Sequence, residues 1–228
     1  MNIMEISKNQ YNRFRIKEIR DLIKCKLDEL EKLDDIFMKE ICLFSLIDMF
    51  AQNSKYGNND TEQFTTFIEK YGNEALLQKI DPDTLYCENK QYFINNQIDI
   101  AKLFNDATEY SWHDIQNNGI SAQIINLARK DANLRDKVDK HKYSRLIYKW
   151  RSKLVHEFNS PSVVFKSMQN YEYPFYYSMI NKIHQLVFPY EFLKNLFLTS
   201  IRNYLNECDQ NNNDPFYFSN IHYETWYE

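Results

Sequence analysis

The amino-acid sequence predicts an all-α protein, and three observations carry that expectation. Apolar residues recur at steps of three and four over long stretches, capping residues stand where those runs begin, and the 228 residues include only three glycines and five prolines. So few glycines disfavour turn-dense all-β folds and glycine-rich phosphate loops. A chain of this length buries roughly 70% of its unfolded surface without a disulfide or metal staple, so a hydrophobic core suffices.

From Phe14 to Leu33, the residues Ile16, Ile19, Ile23, Leu27 and Leu30 form the stripe of an amphipathic first helix. Asp34 and Asp35 are capping residues, and Ile36 to Phe50 becomes apolar on nearly every side, which predicts a buried central helix. An Asn-rich loop around Gly57 follows. Asp60 with Gln63 resembles a capping box that opens a helix ending near Tyr71 and Gly72, and a further turn or two reaches Ile80. Asp81-Pro82 interrupts the pattern, and the stretch to Gly119 reads as an insertion with a helix around Ile98 to Tyr110.

From Ser121 to Phe158 two helices are expected, the second carrying Tyr143, Ile147, Trp150, Leu154 and Phe158 on one face and ended by Asn159-Ser160-Pro161. Tyr171 to Tyr177, with Pro174, reads as an ordered loop. Ser178 to Val187 and Tyr190 to Glu207 read as two more helices, Pro189 standing at the start of the latter. The tail from Asp209 is Asn-rich and then aromatic at Phe216, Tyr217, Phe218 and Trp226, the composition of a strap docked on the bundle. With no repeat and no long linker, the reading is one domain. Its core covers about 13–80 and 121–208, its insertion about 81–120 and its tail 209–228.

Cys25, Cys42, Cys87 and Cys208 are far apart and form no CxxC or Cys/His pairing, so they read as reduced. The N-terminus turns polar at once and no apolar run reaches membrane-span length, which points to a soluble cytoplasmic protein with no membrane partner. The formal charge of -4 does not by itself attract a polyanion. A local basic stretch between Arg129 and Lys153 reads either as a solvated helix face or as a nucleic-acid contact, and in the second reading Arg145, Lys149 and Lys153 are the candidate RNA-binding residues.

The histidines occur in no HxH, HxxxH or HExxH pattern, so neither a metal nor another cofactor is expected. No GxSxG, P-loop or GxGxxG is present, which removes the landmarks of serine hydrolases, NTPases and dinucleotide enzymes. What remains is Arg151-Ser-Lys-Leu-Val-His156. A second pair, Arg135 and His141, has five residues between, but its surroundings are Asp, Lys, Val, Asp and Lys, with little to bury. Arg151 and His156 instead sit on an amphipathic helix. Asp48, an acid in the most apolar helix, is costly there unless it is paired, and is a candidate to orient Arg151 or His156.

The run Leu146-x-Tyr148-x-x-Arg151-Ser152-x-Leu154-Val155-His156-Glu157 resembles the HEPN family, whose signature is an Arg, a polar residue and a His after four to six positions. Phe44-Ser-Leu-Ile-Asp48-Met-Phe50 and Phe64-Thr-Thr-Phe67 are similar to the same subgroup. The resemblance implies an HEPN-like helical bundle with an inserted segment and extra C-terminal helices, assembled as a homodimer whose two Arg/His pairs share a cleft. It further implies a metal-independent endoribonuclease of single-stranded RNA, acting as a toxin or phage-defence effector with an antitoxin or defence partner protein. Relatives that only bind RNA or protein are the alternative, and a helical interaction protein that never meets RNA is a third. In the ribonuclease reading Arg151 and His156 are catalytic, and Ser152 and Asp48 support them. Some HEPN toxins carry a Tyr two positions beyond the His, where a partner attaches AMP; Phe158 occupies that position here. On one helix, residues 151 and 156 diverge by about 140° and about 7.5 Å, which predicts that the pair works only through a second copy or a helix break.

Overall fold

The computed structural model describes residues 8–96, 120–158, 170–178 and 184–216. Among them the protein is all-α apart from one short hairpin. Its elements are α1 (Lys8–Glu31), α2 (Ile36–Asn53), α3 (Asp60–Tyr71), α4 (Glu74–Leu77), α5 (Pro82–Asn95), α6 (Ile120–Ala128), α7 (Ala132–Lys140), α8 (Tyr143–Glu157), β1 (Phe175–Ser178), β2 (His184–Val187) and α9 (Tyr190–Gln210). The chain divides into two compact units. Unit 1 comprises residues 1–72 and 194–228, and unit 2 comprises 73–193.

In unit 1, α1 buries Ile16, Ile19, Ile23 and Leu30, so the stripe read from the sequence is the face that packs. Asp35 caps α2 by accepting from the Phe37 amide at 2.9 Å. The cap of α3 lies one residue earlier than the spacing suggests. Asn59 accepts from the Glu62 amide and Glu62 reaches back to the Asn58 amide, because this Asn/Glu pair stands at the spacing of a reciprocal cap. The core is aromatic: Phe197 of α9 lies edge-on to Phe44 (5.3 Å) and Phe64 (6.1 Å), and Tyr204 meets Phe67, Tyr71 and Phe50. Glu31 joins α1 to α2 through Lys39 and to α9 through Lys194. The tail begins as the expected strap: the Tyr204 hydroxyl donates to the Pro215 carbonyl, Phe216 packs on Phe50, and Asp214 pairs with Arg15. Residues 217–228, including Trp226, lie outside the described residues.

In unit 2 the core is Ile80, Leu85, Phe93, Ile124, Ala128, Leu134 and Val138. Three expectations are corrected here. Asp81-Pro82 opens a helix, since Asp81 caps the Asp83 and Thr84 amides and Pro82, at the first helical position, needs no N–H partner. The helix expected around Ile98 to Tyr110 lies outside the described residues. The stretch 121–158 forms three helices, not two, because Asp131 caps α7 after a turn and Lys142 interrupts it from α8. Lastly, part of the helix expected over Ser178 to Val187 and of the loop over Tyr171 to Tyr177 is an antiparallel hairpin pairing Phe175 with Val187 and Ser178 with His184. Its aromatic and β-branched residues suit a pleated surface better than a helix.

One backbone link sets the start of α8. Ile80 and Lys142 form an isolated antiparallel bridge, in which the Asp81 amide donates to the His141 carbonyl (2.9 Å) and the Tyr143 amide to the Lys79 carbonyl (2.8 Å).

Gly72, at the end of α3, is a sharp constraint of unit 1. A Cβ there would lie 2.5 Å from the Ile68 carbonyl oxygen, 2.7 Å from Leu196 and 2.9 Å from Ser200. Gly72→Ala therefore lowers unfolding stability by about 1–3 kcal/mol, read by urea denaturation; a variant as stable as the wild type contradicts this packing.

Candidate functional site

Helix α8 has two opposite stripes at the same spacing. Tyr143, Ile147, Trp150 and Leu154 are buried, and Phe188 packs edge-on to Tyr143 (5.5 Å) and tilted on Trp150 (5.9 Å). Arg145, Lys149, Ser152 and His156 follow steps of four, three and four on the other side, where Arg145 and Ser152 are half-buried and Lys149 and His156 exposed. Lys153, also exposed, stands beside that polar stripe. Burial of the first stripe thus turns the second outward.

Arg151 lies on the flank of the buried stripe and is half-buried. Its guanidinium passes the ring of Tyr148, one turn back, at 5.7 Å from the centroid, and its Nη1 comes within 3.4 Å of His156 Nε2. The divergence of these two positions on the helix does not keep their side chains apart within one copy. Cα positions five apart do diverge, but the long arginine stem sweeps around the end of the helix and closes the gap. Guanidinium only donates, so in this contact Nε2 is the acceptor and the imidazole hydrogen is on Nδ1.

The helix stops directly after this pair. Phe158 takes a left-handed conformation (φ 50°, ψ 35°) and its amide returns to the Lys153 carbonyl. The sequence had placed Phe158 on the buried face; it is 75% exposed instead. A left-handed conformation at a non-glycine costs about 1–2 kcal/mol, so the sharp end at His156 and Glu157 is imposed by the fold and not by a local glycine.

The competing pair has a structural role. His141 is 2% exposed, its Nδ1–H donates to the Lys137 carbonyl (2.7 Å), and its Nε2 faces Glu88 at 2.9 Å. Arg135 is exposed and donates to the Arg129 carbonyl. Much of the basic stretch is likewise matched locally: Lys140 pairs with Asp136, Lys142 with Asp139, and Lys137 bonds Asn89 and covers the Tyr92 ring. Besides Arg151, the basic residues Arg145, Lys149 and Lys153 lie on the same helix as His156.

Asp48, expected to be costly on the apolar α2 unless paired, is not fully buried. It is half-buried on α2 of unit 1, whereas Arg151 and His156 belong to unit 2; the acid that α2 does bury is Glu40, 0% exposed. Glu40 lies on the helical row of Leu43, Phe44 and Ile47, a periodicity that marks it as inward-facing. Tyr148 was also legible, three residues before Arg151 on the same helix.

Comparison with protein-family models, with curated proteins and with solved structures gave no match. Among the described residues no cluster of three or more His, Cys, Asp or Glu is placed to hold a metal ion, and no helix is long and apolar enough to cross a membrane.

The two histidines separate cleanly in experiment. His141→Ala opens a buried site and strands the Lys137 carbonyl, costing about 1–3 kcal/mol, whereas His156→Ala, at an exposed position, changes stability by no more than about 0.5 kcal/mol. Thermal unfolding of both variants checks this; equal destabilisation contradicts the assignment.

Proposed function

We propose that this chain is a metal-independent endoribonuclease of HEPN type acting on single-stranded RNA. The observation that supports the reading most is the Arg151–His156 contact at 3.4 Å, at the end of an outward stripe carrying Arg145 and Lys149. A phosphodiester docks where donors converge. On arrival of RNA, the Arg151 guanidinium exchanges the imidazole for two phosphate oxygens, a stronger charge-assisted pairing. That exchange releases the Nε2 lone pair of His156. Nε2 then takes the proton of the ribose 2′-OH, the 2′-oxygen bonds to phosphorus, and the bond to the 5′-oxygen breaks. The products are a 2′,3′-cyclic phosphate and a 5′-hydroxyl.

The leaving 5′-oxygen needs a proton as it departs, and a base already engaged with the 2′-OH does not supply it. In this reading a second copy of the chain supplies a second His156, so the active form is a homodimer. Arg151 neutralises charge that grows in the transition state, Ser152 is a supporting residue, and Lys149, Lys153 and Arg145 hold flanking phosphates. A role as toxin or phage-defence effector, with an antitoxin or defence partner, follows from the same reading.

A second reading, a non-catalytic HEPN-like module that binds RNA or protein, is favoured by one observation: the nitrogen that would act as base is covered by the guanidinium in the unliganded chain.

Purified protein is expected to cleave single-stranded RNA in EDTA, with His156→Ala and Arg151→Ala each slower by about 10²-fold or more. Undiminished cleavage by His156→Ala rejects the ribonuclease reading, and binding without any cleavage selects the second. Lys149→Ala with Lys153→Ala reduces the slope of log affinity against log salt by about 1.4, two phosphate contacts at about 0.7 each; an unchanged slope removes these lysines from the interface.

A further inference from the structure

The positive charge of α8 is arranged as a row. Arg145, Lys149 and Lys153 stand at intervals of four residues. Each interval advances about 6 Å along the helix axis and turns about 40° around it, so the three form a shallow spiral about 12 Å long outside the buried stripe. Lys149 and Lys153 are exposed and Arg145 is half-buried. Burial of Tyr143, Ile147, Trp150 and Leu154 fixes the rotation of the helix, so the row is not turned inward to meet acids of its own chain.

Like charges four residues apart on a helix repel, and this row contains two such pairs. Among the described residues none of the three side chains makes an ion pair, a hydrogen bond or a ring contact. Glu157, the acid of this helix, stands four residues after Lys153 without pairing with it. The residues just before α8 are different: Lys140 is paired with Asp136 and Lys142 with Asp139. Local compensation is thus present up to the start of α8 and stops there, which leaves the row for an anion from outside the chain.

Its spacing says what kind of anion. One bound ion meets one or two of these cations, whereas a strand with a charge at every repeat meets all three. The row also leads to the candidate site. Lys153 precedes His156 by about 4.5 Å along the axis, and the Arg151 guanidinium lies 3.4 Å from His156 Nε2.

We infer that α8 is a track for single-stranded RNA that holds four consecutive phosphates, the scissile one at Arg151 and the next three at Lys153, Lys149 and Arg145. The inference rests on the ribonuclease reading for the place of the scissile phosphate, and adds the length of strand that the site requires. Four linked phosphates correspond to a substrate of five nucleotides or more. Phosphate contacts fix register and not sequence, so the track selects by length.

Fluorescence anisotropy of the full chain with labelled oligodeoxyuridylates of two to ten nucleotides tests the track. These strands lack the 2′-OH, so the result does not depend on cleavage. The slope of log affinity against log salt is expected to steepen by about 0.7 for each added phosphate until at least four are bound. Lys149→Gln, in the middle of the row, lowers the final slope by at least about 0.7 and leaves the strand length at which it is reached. Arg145→Gln, at the end of the row, lowers it by a similar amount and shortens that length by at least one nucleotide. Glutamine keeps a stem and a good helix propensity at both positions. The track is overturned if the slope levels off before four phosphates, if the two variants act alike on length, or if an oligoglutamate binds as tightly as an oligonucleotide of equal charge. Cleavage of RNA with no steps in the slope rejects the track and spares the ribonuclease reading; steps without cleavage of any RNA keep the row and reject that reading.

Discussion

The antiparallel bridge between Ile80 and Lys142 is the constraint on which the candidate site of unit 2 depends. Two backbone hydrogen bonds tie the entry to α5 to the entry to α8, and Lys142, the residue before α8, makes no side-chain cap to the helix. Without the bridge, nothing local dictates where α8 begins. Asp81, 2% exposed, is bound into the same junction, capping α5 while its amide donates to His141, and His141 in turn holds the end of α7 and Glu88. Three helix ends are therefore satisfied at one place, which is the usual solution for helix termini that are not left to water.

From that start the rotation of α8 follows from burial alone. Burying Tyr143, Ile147, Trp150 and Leu154 is worth about 1.5–3 kcal/mol for each large apolar side chain, so a turn of the helix about its axis is prohibitively costly. The outward placement of Arg145, Lys149, Ser152 and His156 is a consequence of that packing. Arg151 stands between the two faces, and its half-buried stem crosses Tyr148 before the guanidinium emerges beside His156. A basic group and an imidazole meet at the rim because one is long enough to reach the other.

Unit 1 uses different physics. Its core is built from aromatic edges, with Tyr71 and Tyr204 carrying hydroxyls that must be satisfied as well as rings that must be packed. The hydroxyls find Lys70, Tyr56 and the Pro215 carbonyl, and burial raises the pKa of both tyrosines, so they remain neutral donors and acceptors.

The sequence by itself determined the helical class, the buried stripes of α1 and α8, the caps at Asp35 and the helix start at Pro189, because these rest on periodicity and on single residues acting over one turn. It also singled out Arg151 and His156, and it set them apart from Arg135 and His141 by asking which pair had an apolar face beneath it. It did not determine the hairpin at Phe175 to Val187, the break at Lys142 or the burial of Glu40 in place of Asp48, since pairing with a distant strand, a bridge to Ile80 and the facing surface of a helix are all non-local. The contact between Arg151 and His156 belongs to the same group. Helical spacing places their Cα atoms apart, and only the packed tertiary structure, which turns α8 and ends it abruptly at Phe158, decides that their side chains meet.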